Sequence, residues 1–203
     1  MYKFTMDFNY GNGLGGAKRN IAQLINAFGI PNTIIEIGVF EGGTTFWMND
    51  ELCNSNPNLK IYAIDPHIGS NDMSEDFNMV GDNFKHNMDV CPNNKITHLK
   101  MKSEDGLIEL RNVGVEAELI YVDGDHRAGP VMSDLVLAWK LLKKGGVILC
   151  DDTTVWKYDD GSNTFPAQMS PRMAVEFFIQ CHWHELQLIS LENPIQTAFM
   201  KMV

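Results

Sequence analysis

The sequence predicts an α/β protein built on a doubly wound, mostly parallel sheet of about seven strands, with helices on both faces. Two observations carry that expectation. Five short runs rich in Ile, Val, Leu and Tyr recur at Thr33–Gly38, Leu59–Ile64, Ile96–Met101, Leu119–Asp123 and Gly146–Cys150, and stretches of helical periodicity separate them at Thr45–Cys53, Ser74–Met88, Glu104–Asn112 and Pro130–Leu142. Towards the C-terminal end the alternation stops: a helix at Pro171–Gln180 precedes two strand-like runs, His184–Leu191 and Gln196–Met202, joined by Glu192-Asn193-Pro194-Ile195. With 203 residues the chain can bury one sizeable core, and a single domain over 1–203 is expected.

An N-terminal arm and helix, residues 1–30, stand before the first strand. Gly11-Asn12-Gly13-Leu14-Gly15-Gly16 satisfies the Gly-x-Gly-x-x-Gly pattern of a dinucleotide turn. No buried strand precedes it and no second strand ending in an acid follows at the right distance, so it reads as an arm ahead of a helix, placed to fold over a bound ligand as a lid. The helix, Ala17–Phe28, puts Ile21, Leu24, Ile25 and Phe28 on one face and stops at Gly29-Ile30-Pro31.

The first strand leads into the most informative stretch. Thr33-Ile34-Ile35-Glu36-Ile37 is a β-branched run ending on Gly38, and after Gly42-Gly43 a helical pattern begins with Thr44 or Thr45 as the expected N-cap. Such a junction gathers bare backbone amides and the positive end of a helix at one point. A dinucleotide pyrophosphate needs a second small residue in the turn, but Val39, Phe40 and Glu41 stand there, and the Glu41 carboxylate would repel it. A cofactor without phosphates fits better, and the acidic surroundings favour a cationic one; S-adenosylmethionine carries a sulfonium, an ammonium and one carboxylate. Glu36-Ile-Gly-Val-Phe-Glu-Gly-Gly-Thr-Thr resembles the first motif of class I S-adenosylmethionine-dependent methyltransferases, in the Glu-x-Gly-x-x-x-Gly-x-(Ser/Thr) form of small-molecule O-methyltransferases. The resemblance spans Thr33 to the C-terminal end. It implies a Rossmann-like sheet closed by an antiparallel hairpin, and cofactor contacts from Glu36, Gly38, Gly42 and Thr44.

Asp65 ends the second strand in Ile61-Tyr-Ala-Ile-Asp-Pro-His67, one strand-helix-strand step after Gly38, where an acid can accept both ribose hydroxyls. His67 beside it reads as a loop residue. After the third strand, Ser103 or Glu104 sits where the family reads the adenine; an N-cap with acids in the first turn explains them equally well. The fourth strand of a doubly wound sheet lies beside the first, so Asp123 of Leu119-Ile-Tyr-Val-Asp-Gly-Asp-His126 faces the same crevice as Gly38, as a cofactor or metal residue. Asp151 and Asp152 end the neighbouring fifth strand. Asp123, Asp151 and Asp152 therefore form an oxygen-rich cluster suited to Mg²⁺ or a similar divalent cation. This resembles the metal-dependent catechol and macrocin-type O-methyltransferases. A turn-capping role for the Asp151-Asp152 pair is the rival reading. For the proton of the acceptor hydroxyl, the resemblance favours Asp125 as base and intrinsic basicity favours His126.

The rest of the composition bounds the partners. With 26 acidic against 16 basic residues, a net charge of −10 and no basic run, nucleic acid is not an expected partner. Cys53, Cys91, Cys150 and Cys181 are far apart and read as reduced, cytoplasmic thiols. Met1–Tyr10 lacks the pattern of a secretory leader, and no apolar run is long enough for a membrane span. The two histidines of Cys181-His182-Trp183-His184 reflect strand alternation rather than a metal site. Thr153–Ser170, polar with interspersed aromatics, reads as a lid loop (153–170) beside the site. The expected function is methyl transfer from S-adenosylmethionine to a hydroxyl of a small molecule, assisted by a divalent metal. A metal-free methyltransferase of the same fold, a non-catalytic cofactor-binding module and a nucleotide-binding Rossmann domain are the alternatives. A homo-oligomer is compatible with the sequence.

Overall fold

The computed structural model of the chain describes residues 14–68, 77–153 and 170–203. Seven strands form one sheet: β1 (Thr33–Ile37), β2 (Lys60–Ile64), β3 (Ile96–Leu99), β4 (Ala117–Val122), β5 (Leu142–Cys150), β6 (Leu186–Ile189) and β7 (Thr197–Lys201). Their order is β3-β2-β1-β4-β5-β7-β6, with β1 to β5 parallel and β7 antiparallel to both β5 and β6. The order reverses between β1 and β4, which opens a crevice at their C-terminal ends.

Strict alternation along the strands divides the core into two layers. Ile35 and Ile37 of β1, Ile120 and Val122 of β4, and Ile148 and Cys150 of β5 pack against α4 (Ser103–Asn112), α5 (Ala128–Leu141) and α6 (Pro171–Cys181). Ile34, Leu119, Tyr121, Val147 and Leu149 face α1 (Leu14–Phe28), α2 (Gly43–Leu52) and α3 (Phe77–Val90) on the other side. Burial on both faces explains why the strands read as unbroken apolar runs. It also makes polar residues inside them conspicuous: Glu36 and Tyr121, cross-strand neighbours in the β1–β4 register, are both almost fully buried on the α1–α3 face.

Several boundaries differ from the sequence expectation for identifiable reasons. Helix α1 begins at Leu14, so Gly15 and Gly16 are helical rather than part of an arm. Tertiary bonds outweigh the poor helix propensity of glycine there: Asn20 donates to the Asn193 carbonyl and to Gln196, while Gln23 pairs with the backbone of Ser190 and Glu192. Neither Thr44 nor Thr45 caps α2; the N-cap is Gly42, at φ 91°, a left-handed conformation that glycine adopts without strain. Strand β5 starts at Leu142, which pairs with Ala117 ahead of a register shift, so the Lys143-Lys144-Gly145 segment belongs to the strand. Cys181 ends α6 and His182–His184 lie in the turn before β6, where the His182 ring packs against Phe178 and Trp139 and its Nδ1 lies 2.8 Å from Glu185.

Candidate active site

A cavity of about 1050 Å³ opens at the C-terminal ends of β1, β2, β4 and β5. Of the sequence-predicted site residues, Glu36, Gly38, Thr44, Asp65, Ser103, Glu104, Asp123, Asp125, His126, Asp151 and Asp152 all line it. Gly42 does not line it; a Cβ there would meet the Phe46 ring at 2.2 Å, so this glycine serves the start of α2. Eight carboxylates face the cavity against Lys102 and Arg127 among the described residues. Ala17 of α1 and Ile195 of the β6–β7 turn complete part of its wall.

The turn after β1 is assembled by Asp65. Its Oδ2 accepts from the backbone N–H groups of Val39 at 2.9 Å and Phe40 at 3.1 Å, and its Oδ1 accepts from the N–H of His67 at 2.8 Å. Phe40 and His67 both sit at left-handed φ, 49° and 50°, which costs a non-glycine residue free energy. The His67 Nε2 lies 2.8 Å from the Phe40 carbonyl oxygen, so Phe40 is gripped through both its N–H and its C=O. His67 lies in the loop after β2, as the sequence suggests, and is fixed there, buried against Phe84 and His98. Gly38, at φ 79°, runs so close to the next strand that a Cβ would stand 2.1 Å from the Asp123 carbonyl oxygen. Glu41 is tied to α3, its carboxylate accepting from Asn83 at 2.7 Å.

Beneath the turn, Thr45 donates its hydroxyl to Glu36 at 2.5 Å. Burial, opposed by that hydrogen bond and reinforced by the nearby Asp65 charge, pushes the Glu36 carboxyl up to about 8. A neutral acid is thus held under the crevice, able to ionise when a cation arrives. At the start of α4 the N-cap is Lys102, without a side-chain cap, so Ser103 is the first helical residue and not the cap. The Glu104 carboxylate accepts from Ser133 at 2.6 Å. Burial pushes Asp134 up to about 7, against a lowering hydrogen bond from Ser103.

Across the switch point the side chains hold one another. The Tyr121 hydroxyl lies 2.5 Å from Asp151 Oδ2 and 3.0 Å from Asp123 Oδ2, so its single hydrogen serves two carboxylates. Gln196 donates to the same hydroxyl at 3.3 Å and accepts in turn from Asn20 at 2.7 Å. Burial, then the charges of Asp151 and Asp152, hold the Asp123 carboxyl well above the usual carboxylate range. Tyr121 is raised by burial and by the charges of Asp123 and Asp151. The predicted metal set is regrouped: Asp123 and Asp152 offer ligand atoms within 4.8 Å of one another together with His126. Asp151 is turned aside, one oxygen on Tyr121 and the other accepting the Asp152 N–H at 2.8 Å. Asp152 sits at φ 54°, aimed by the turn rather than by the strand. The Asp125 carboxylate is held by the Arg127 guanidinium and by the Arg127 N–H. The expected lid falls on residues 154–169, which lie outside the described residues; its anchor Thr153 is fixed to Ile195 and Thr197.

Neither Tyr121 nor Arg127 is among the sequence-predicted site residues, and Thr45 and His67 stand there only as a helix cap and a loop residue. Tyr121 had a signal: a polar group two residues before Asp123, and so on the same strand face, inside an otherwise apolar buried run.

Sheet order, the closing antiparallel pair and a cavity at the β1/β4 switch point define the class I methyltransferase fold. The chain belongs to the methyltransferase domain family, whose profile matches residues 35–153, more than half of its length. An uncharacterized protein of Acanthamoeba polyphaga mimivirus is 31% identical over 123 residues, which cover 59% of this chain and 51% of that protein. The match thus spans about half the length of that curated relative. The O-methyltransferase TomG from Streptomyces achromogenes, solved with SAM, superposes with a TM-score of 0.64 at 16% identity, covering 92% of this chain and 80% of that one. An O-methyltransferase from Bacillus cereus, solved with SAH, gives a TM-score of 0.62 at 16% identity over 95% of this chain and 83% of its own. A further SAH-bound methyltransferase, PaMTH1 from Podospora anserina, gives 0.62 at 14% identity over 96% and 80%. These likenesses show the fold. No helix among the described residues is long and apolar enough to cross a membrane.

Proposed function

We propose that the protein transfers a methyl group from S-adenosylmethionine to a hydroxyl of a small molecule, with a divalent cation assisting. The observation that carries this reading is that one cavity holds two unlike half-sites: a backbone cradle anchored on Asp65, and a cation-seeking cluster at the ends of β4 and β5. The surplus of carboxylates argues against a pyrophosphate ligand and for a cationic one. Ligation to S-adenosylmethionine or its product in the structural neighbours, and their naming as O-methyltransferases, support the same choice.

In this reading Asp65, already oriented by three amides, accepts a ribose hydroxyl with the remaining lone pair of its Oδ1. Gly38 keeps the turn close to β4, and Ser103 or Glu104 would border the adenine. S-adenosylmethionine supplies the methyl group: the acceptor oxygen attacks the methyl carbon in line, the carbon–sulfur bond breaks, and its electron pair stays on sulfur. The proton leaves towards the β4–α5 turn, where Asp125 and His126 stand. The donor set of Asp123 and Asp152 with their neighbours fits a divalent cation, whose charge would offset the burial and the Asp151 and Asp152 charges that hold the Asp123 carboxyl up. Such a cation would lower the pKa of the acceptor hydroxyl. Four free thiols support a cytoplasmic setting.

Isothermal titration with S-adenosylmethionine, S-adenosylhomocysteine and NAD tests the reading, with binding of the first two in the micromolar range expected. Preferential binding of NAD would sink it in favour of a nucleotide-binding domain. Full activity after exhaustive chelation would leave the metal-free methyltransferase, and cofactor binding without turnover on any hydroxyl acceptor would leave a non-catalytic module.

A further inference from the structure

We propose that His126 is a ligand of the cation through its ring nitrogen, in place of Asp151, and that the site therefore selects Mn²⁺ and its transition-metal neighbours over Mg²⁺. The proposal rests on the methyl-transfer reading only for the presence of a cation at this spot. Its warrant is geometric. His126 Nε2 lies 3.4 Å from Asp152 Oδ2, and one atom from each of Asp123, His126 and Asp152 falls within 4.8 Å of the others. Two ligands about 2.1 Å from an ion in adjacent octahedral positions stand about 3 Å apart, and opposite ones about 4.2 Å, so the 3.4 Å pair is near the adjacent spacing and the trio lies within reach of one ion. Asp151 is worse placed. It stands outside that group, with one oxygen accepting from the Tyr121 hydroxyl at 2.5 Å and the other from the Asp152 N–H at 2.8 Å.

The chemistry of the trio decides the metal. Carboxylates and water suit Mg²⁺, whereas an imidazole nitrogen gives little to a hard, tightly hydrated ion and much to Mn²⁺, Co²⁺ or Zn²⁺. A site of two carboxylates and one imidazole therefore leans towards the borderline ions. Asp151 keeps a positioning role: it holds the Asp152 N–H, and so the left-handed turn from which the Asp152 carboxylate is presented.

The test titrates the full chain with Mn²⁺ and with Mg²⁺, and records the electron spin echo of bound Mn²⁺. The parent protein is expected to bind Mn²⁺ at least about tenfold more tightly than Mg²⁺ and to show imidazole nitrogen modulation on the Mn²⁺ signal. His126→Ala should lose that modulation and about tenfold or more in Mn²⁺ affinity, while Mg²⁺ affinity changes little. His126→Asp should bring the two affinities together. A base that never touches the ion would leave Mn²⁺ binding unaltered in His126→Ala, and that result, or an echo without nitrogen modulation in the parent, overturns the proposal. The spin-echo arm needs no variant to fold. S-adenosylmethionine titrated into the same samples keeps the two readings apart: Mn²⁺ on imidazole without cofactor binding defeats the methyltransferase reading alone, and cofactor binding with nitrogen-free Mn²⁺ defeats the ligand assignment alone.

Discussion

At the ends of β1 and β2 both oxygens of Asp65 are committed to the backbone amides of Val39, Phe40 and His67, whereas at the ends of β4 and β5 the carboxylates of Asp123 and Asp151 share one tyrosine hydroxyl. The first arrangement is a main-chain turn whose strained residues are held by a side chain, so its shape is set before any ligand arrives. The second is a group of like charges whose repulsion is relieved by protonation or by a counter-ion. Perturbing the first half should therefore cost fold or cofactor affinity. Perturbing the second should leave the fold nearly intact and alter what the site holds.

The harshest way to break the first half is Gly38→Ala. The new Cβ would meet the Asp123 carbonyl oxygen at 2.1 Å and the Gly124 Cα at 2.4 Å, both backbone atoms, at φ 79° where L residues are strained. We expect a loss of about 4 kcal/mol or more, enough to abolish cooperative unfolding in urea. A melting curve like that of the parent would show that the two strands are free to part.

Next in size is the pH response of Glu36. Its carboxyl is raised from 4.5 to about 8, so between those values the native chain holds a proton that the unfolded chain has released. Stability is then fully present below about pH 4.5 and is lost as pH rises through about 8. Glu36→Gln removes that titration and should flatten the decline of unfolding free energy measured between pH 5 and 9, while an unchanged slope would place the buried proton elsewhere. Saturating S-adenosylmethionine should also flatten it in the parent, since a cation beside Glu36 favours the ionised form.

Asp65→Ala is expected to cost about 1.5–3 kcal/mol of S-adenosylmethionine binding by titration calorimetry. Since three amides lose their acceptor as well, the melting temperature should fall with it. Asp65→Asn keeps one acceptor oxygen and should fall between Ala and the parent in both measurements. If affinity dropped with no change in melting, the carboxylate would serve the ligand and not the turn.

The contrast between the halves also explains what the sequence disclosed. Periodicity located every strand and helix of the described residues because both faces of the sheet are buried, and the glycine turn with its following acid was recognisable because backbone geometry forces residue type. The start of α1 was missed since Asn20 and Gln23 pin it to residues far along the chain, and the cap of α2 was misplaced since Thr45 turns its hydroxyl to Glu36. Around β4 and β5 the carboxylates were visible as residue types, but nothing in their spacing tells which one Tyr121 captures or that Arg127 claims Asp125. Side-chain partnerships of that kind are settled by packing from α1 and the β6–β7 turn, through Asn20 and Gln196.

The smallest expected effect, and the sharpest test of the second half, is Tyr121→Phe. The ring is fully buried and would be retained, so packing should persist and only the hydroxyl's bonds with Asp151, Asp123 and Gln196 would be lost. Removing a neutral donor to a carboxylate costs roughly 1–2 kcal/mol in general, and here part of that is returned because Asp151 borders the cavity and can be hydrated. Urea unfolding should thus show a loss of about 1 kcal/mol or less. The informative change lies in the cation: with Tyr121 gone, Asp151 is free to turn towards Asp123 and Asp152, adding an oxygen ligand and moving preference towards Mg²⁺. Titration of the variant with both ions should narrow the gap between them while S-adenosylmethionine affinity stays within about twofold, since none of the bonds on Asp65 involves this hydroxyl. A large drop in cofactor affinity instead would mean that the two halves are coupled through the Glu36–Tyr121 strand pair, and that the division between a rigid cradle and a charge-governed cluster does not hold.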